Sequence, residues 1–219
     1  MNRYLTHLIF LILLTCWSPI SAAPAPTTSP DPVVYLTPFS HLDLFWGGLR
    51  EEDLARGCQI IAKSVRMANE SPKFRFLLED DVMVANYVES HKGSPELEDL
   101  KHLVKEGRFE IAPKWAEIFQ GLPDGEVHAR NMVIGKRFAH DVFGVDEQVA
   151  HMCDLPGFTQ QFPQILKQTR IPYMVMTRMG PTDKPLFNWK APDGSNWAAM
   201  RRSCWRGSST AWPSAAGRS

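Results

Sequence analysis

The sequence lacks several signatures that would assign a function quickly. It has 4 cysteines, and only Cys58, Cys153 and Cys204 lie beyond the first thirty residues. That number is odd and includes no CxxC pair, which excludes a disulfide framework and a zinc-ribbon spacing. The formal net charge is +0. No basic tract interleaved with aromatics offers a nucleic-acid face, and no acidic tail is present. No glycine-rich phosphate loop follows the first apolar segment, which argues against a dinucleotide fold. No apolar run is long enough to span a bilayer.

What remains is an ordinary globular composition, 44% hydrophobic and 22% charged over 219 residues. That length suits one domain with a full core. The N-terminus departs from it. Arg3 precedes the apolar run Leu8–Leu14, and small residues lead to Ser21-Ala22-Ala23. This is the three-part pattern of a secretory leader, so residues 1–23 are expected to be a signal peptide. "LLTC", ending at Cys16, resembles a lipoprotein box, but Thr15 is unfavourable before the cysteine. An exported soluble protein is therefore preferred to a lipid-anchored one. Residues 24–32, "PAPTTSPDP", read as a proline-rich extended linker.

From residue 33 two kinds of segment alternate. Short apolar runs at 33–39, 74–79, 109–114, 149–154 and 172–178 read as five strands, several of them buried on both faces. Helical spacing separates them. Leu54, Cys58, Ile61, Val65 and Ala68 form one stripe. Ser94 and Pro95 supply a cap and first helical position ahead of Leu97, Leu100 and Val104, with Gly107 as the stop. A third helix is expected over 126–143, with Val133, Phe138 and Val142 inward. A shorter one is expected over 159–169. Alternating strands and helices predict an α/β fold with a parallel sheet, closed as a barrel or open and doubly wound.

In such folds, functional groups gather where strands end. His41 and Asp43 follow the first strand, Glu79, Asp80 and Asp81 the second, Trp115 and Glu117 the third, Asp154 the fourth and Arg178 the fifth. His41, Asp43 and Asp154 offer one nitrogen and two oxygen ligands, a set that suits a divalent ion such as Zn²⁺ with positions left open. A His-x-Asp pair alone is a weak signal, and a structural histidine beside an acceptor explains it equally well. Trp46 and Trp115 near carboxylates suggest a sugar cleft, against the plainer reading of two core tryptophans.

Together these segments resemble the N-terminal domain of glycoside hydrolase family 38, the α-mannosidases, over about residues 33–196. "HLDLFW" resembles the family's first motif, which implies that His41 and Asp43 bind zinc and that Trp46 packs on the sugar. "KEGRFEIAPKWAEIFQGLPDGE" is similar to the stretch contributing Trp115 and Glu117 to substrate binding. "DLPGFTQQFPQIL" resembles the segment whose aspartate, Asp154 here, is both nucleophile and zinc ligand. Arg178 stands where a family arginine meets the nucleophile, and "FNWKAPDGS" resembles the segment that follows. Pro156 and Phe119 depart from the family pattern.

The resemblance implies an incomplete parallel β/α barrel of the family's seven-stranded type. It also implies a zinc-dependent retaining glycosidase acting on mannose-containing carbohydrate, with the remaining metal ligand and the general acid expected downstream. Residues 197–219 lose regular patterning and read as an irregular tail, as from a shifted frame, so the chain alone is expected to be inactive. Two other readings stay open: a metal-dependent deacetylase on a similar barrel, and an exported carbohydrate-binding remnant without catalysis.

Overall fold

The computed structural model describes residues 36–44, 46–178, 182 and 184–201. The expected leader, the linker, Cys16, Cys204 and residues 202–219 of the expected tail lie outside these. All the described residues belong to one compact unit.

Helix α1, Arg50–Glu70, opens on an acidic first turn, where Glu52 accepts the Leu49 N–H at 2.9 Å. Negative charge there complements the helix dipole. Its buried stripe includes Leu54, Ile61, Val65 and Ala68, as the spacing predicts. Strand β1, Phe76–Leu78, leads into helix α2, Asp81–Ser90. Helix α3, Pro95–Lys105, begins at the expected cap, with Ser94 accepting the Leu97 N–H at 3.3 Å. It stops at Gly107, whose φ of +68° a side chain would disfavour. Strand β2, Phe109–Ile111, follows and pairs in parallel with β1.

Helix α4, Gly125–Phe143, is capped by Asp124, which accepts the Val127 N–H at 3.1 Å. Its buried face matches the expected one in part: Phe138 and Val142 pack against the first core cluster. His128, Met132, Gly135, Ala139 and Phe143 point inward, and Val133 is exposed. The cause is Gly135, which lets the helix lie directly against the backbone of Lys114 and turns Val133 outward.

Strand β3, Val149–Met152, helix α5, Phe162–Gln168, and strand β4, Tyr173–Met176, form a second parallel unit. A hairpin of β5, Leu186–Lys190, and β6, Asn196–Arg201, completes it. Strand β6 pairs antiparallel with β5 and parallel with β4.

The α/β class is as expected. Among the described residues the strands form two sheets, β1-β2 and β3-β4-β6-β5, and the second sheet is mixed. The expected first strand contributes one parallel bridge, Phe39 to Leu77, and residues 33–35 lie outside the description. Strand β6 also runs into the segment expected to be an irregular tail. Alternation of apolar and polar residues there is too weak to announce a strand, and pairing on both sides supplies what the pattern lacks. Each sheet has its own apolar cluster. Phe76, Leu78, Leu100, Phe109 and Ile111 anchor the first, and Met152, Phe162, Leu166, Met174 and Met176 the second.

Glu147, just before β3, is buried, and neither carboxyl oxygen has a hydrogen-bond partner. Burial pushes its pKa up to about 8, with Lys136 opposing and Asp146 and Glu110 adding to the rise. A carboxyl whose folded pKa is raised weakens the fold progressively as pH climbs from the unfolded value toward the folded one. The Glu147→Gln variant should therefore gain on the parent in melting temperature between pH 4.5 and about 8. A pH-independent difference would show that Glu147 does not titrate in this way.

Candidate functional site

Strands β1, β2, β3 and β4 carry the polar residues at their C-terminal ends, where alternation turns some side chains toward the partner sheet. Glu79 follows β1 and is buried. It accepts the Nδ1–H of His41, with Oε2 at 3.0 Å and Oε1 at 3.2 Å. His151, inside β3, places its Nδ1 3.7 Å from the same carboxylate. Its ring stands edge-on to Phe39 at 4.7 Å between centroids. These contacts join the two sheets at one end.

His41 Nε2 lies 3.3 Å from Asp43 Oδ1, is itself buried, and makes no hydrogen bond. The nearby Cys153 side chain, then the hydrogen bond with Glu79, raises the His41 pKa to about 11 against the opposing effect of burial. Burial alone would raise Glu79. The hydrogen bond from His41 and the charges of Lys114, His41 and His151 outweigh it and leave Glu79 lowered. Acidic and basic groups interleave at this end of the fold, with Glu79 shared among His41, His151 and Lys114.

His41, Glu79 and Cys153 each offer a ligand atom, and these lie within 4.8 Å of one another. An imidazole, a carboxylate and a thiol at that spacing are a donor set that fits a divalent metal ion.

The other expected residues fall into three groups. Asp43 joins His41. Asp154, after β3, is ion-paired with Arg178, after β4, and both are exposed. Glu117 is ion-paired with Lys114, which also lies 3.3 Å from Asp80 and 4.0 Å from Glu79. Asp80 is driven up to about 6 by burial, against the pull of Lys114. Trp115 packs edge-on against Phe138 of α4 at 5.9 Å. Trp46 is 82% exposed. The sequence reading missed Lys114, Cys153 and His151. Lys114 was counted as strand, and the signal for Cys153 was its place at a strand end directly before Asp154.

Residues 31–207 match the family described as Glycosyl hydrolases family 38 N-terminal domain. The chain is 24% identical over 163 residues to "Alpha-mannosidase G" of Dictyostelium discoideum, covering 71% of this chain and 15% of that protein. It is 25% identical over 134 residues to "Alpha-mannosidase" of Saccharomyces cerevisiae, covering 59% of this chain and 11% of that one. The crystal structure of an alpha-mannosidase from Enterococcus faecalis V583 superimposes with a TM-score of 0.68 at 22% identity. That match covers 76% of this chain and 20% of the other, a likeness of fold.

Proposed function

The chain belongs to the glycosyl hydrolase family 38 N-terminal domain family, and from that premise we propose that it is the nucleophile-bearing part of a zinc-dependent retaining glycosidase acting on α-mannosides. What carries the reading is the Asp154–Arg178 pair, set at the ends of adjacent parallel strands on the edge that also holds His41. In this reading the strands belong to a parallel barrel of the family's seven-stranded type.

Arg178 fixes the Asp154 carboxylate by a charge-assisted contact. Asp154 then attacks the anomeric carbon as the bond to the leaving oxygen breaks. A second carboxyl group protonates that oxygen, and water later releases the sugar from Asp154. His41, Asp43 and Asp154 would hold Zn²⁺, which would supply a Lewis acid for sugar hydroxyls. Trp46 offers an exposed aromatic face to the sugar, and the family resemblance assigns Trp115 and Glu117 to substrate binding with it. Residues 1–23 direct export, which N-terminal sequencing of the secreted protein tests.

The chain spans 15% of the Dictyostelium relative's length. We therefore assign turnover to these residues acting together with the remainder of such a catalytic domain. Given Zn²⁺ and an aryl α-mannoside, residues 1–219 alone should show no hydrolysis above a blank. Fused to that remainder they should hydrolyse it, and Asp154→Ala should lower the rate by roughly 10⁴-fold or more. A mechanism-based fluoro-mannosyl fluoride should label the peptide containing Asp154. Turnover that survives Asp154→Ala, or a label on another residue, would remove Asp154 as nucleophile.

A further inference from the structure

Resting on the reading of this edge as a metal site, we propose that Cys153 supplies a thiolate ligand to the bound ion, beside His41 and Glu79. The three ligand atoms already lie within 4.8 Å of one another. Zinc–nitrogen and zinc–sulfur bonds of about 2.0 and 2.3 Å ask only for a modest contraction of that arrangement.

The surroundings of Cys153 separate it from a core cysteine. A buried free cysteine usually packs as a small hydrophobe. Its neighbours Met152 and Leu155 do join the apolar cluster of the second sheet, but Cys153 does not. It lies just past the end of β3, two residues beyond His151, whose ring approaches Glu79. The Thr177 hydroxyl donates to its sulfur at 3.2 Å. A hydroxyl donor orients the sulfur, the service that groups behind a ligand perform in metal sites.

The site thus divides by depth. Asp43 and Asp154 have side chains 47% and 44% exposed, whereas Glu79 and Cys153 are buried. His41 stands between the oxygen pair at the rim and the carboxylate–thiol pair beneath. A sulfur donor draws the ion toward the inner pair and shifts preference toward thiophilic ions over Mg²⁺ or Mn²⁺.

The test is the electronic spectrum of the full chain titrated with Co²⁺, which replaces Zn²⁺ and reports its ligands. Carrying Cys16→Ser, Cys58→Ser and Cys204→Ser, the chain keeps Cys153 as its one thiol of 4. We expect visible ligand-field bands together with a near-ultraviolet sulfur-to-cobalt charge-transfer band. Cys153→Ser should abolish the second and leave the first. Where a serine variant does not fold, zinc protection of Cys153 against alkylation in the unaltered chain, mapped by mass spectrometry, decides the matter. Ligand-field bands without charge transfer, or equal alkylation with and without zinc, would overturn the sulfur ligand and leave an oxygen and nitrogen site standing. Absence of any cobalt spectrum would overturn the metal reading as well.

Discussion

Replacing Lys114 with methionine is expected to lower the unfolding free energy by about 3–5 kcal/mol near neutral pH, the usual cost of removing one partner from a buried charge cluster. Methionine nearly preserves the length and volume of the stem, so the loss isolates the charge. Lys114 is 1% exposed, and three carboxyl groups surround its ammonium: Asp80, Glu117 and Glu79. Without it, Glu79 keeps His41 and, farther off, His151 as partners among the described residues. Asp80, already at about 6 through burial, would rise further and take up a proton, which caps the loss.

The pH dependence follows from Glu79. Its folded pKa is lowered from 4.5, so its contribution to stability is present above that value and fades as pH falls through the folded pKa. Lys114 is one cause of the lowering. The deficit of Lys114→Met should therefore shrink in acid, as the facing carboxylates become protonated. Urea unfolding at pH 7 and again below about pH 4 measures both. An equal deficit at the two pH values would assign the effect to packing of the lysine stem.

Much of this fold could be read from local chemistry. Ser94 and Pro95 announce α3 because a cap and a fixed φ act within one turn. The stripe of α1 is legible because one face meets one core. The rest depends on partners distant in sequence. Strand β6 needs β4 and β5 on either side before its residues make sense as a strand. The inward face of α4 is set by a single close approach at Gly135, which no periodicity records, and so Val133 was placed inside. The site shows the same division. His41, Asp43, Asp154 and Arg178 were named by motif and strand-end position. Glu79 stands among three consecutive acids at one strand end, and its bond to His41 crosses 38 residues. Cys153 carries no local signal, because what distinguishes it is its proximity to His41 and Thr177, distant in sequence.

Gly135 itself carries the second large expectation. Gly135→Ala should destabilise the protein by about 1–3 kcal/mol, the typical cost of overpacking. A Cβ there would stand 2.5 Å from Asp81 Oδ2, 2.8 Å from Lys114 N and 2.9 Å from Lys114 C. The last two are backbone atoms, which cannot swing aside as a side-chain tip would. Helix propensity acts the other way, favouring alanine over glycine by up to about 1 kcal/mol, and the clash outweighs it. Relief requires moving α4 off the segment after β2. That would strain the Ala116 N–H bond to Asn131 Oδ1 at 3.0 Å and the Asn131 amide bond to Ala116 O at 2.9 Å. Lys114 and Glu117 sit on this segment, so the disturbance should reach the carboxylate cluster. Gly125→Ala supplies the control, because nothing lies within 4 Å of its Cβ position. It should be neutral or slightly stabilising. At roughly 2–4 °C per kcal/mol for a chain of this size, thermal melts separate the two variants. A Gly135→Ala protein as stable as the parent would mean that the helix sits farther from Lys114 than this packing requires.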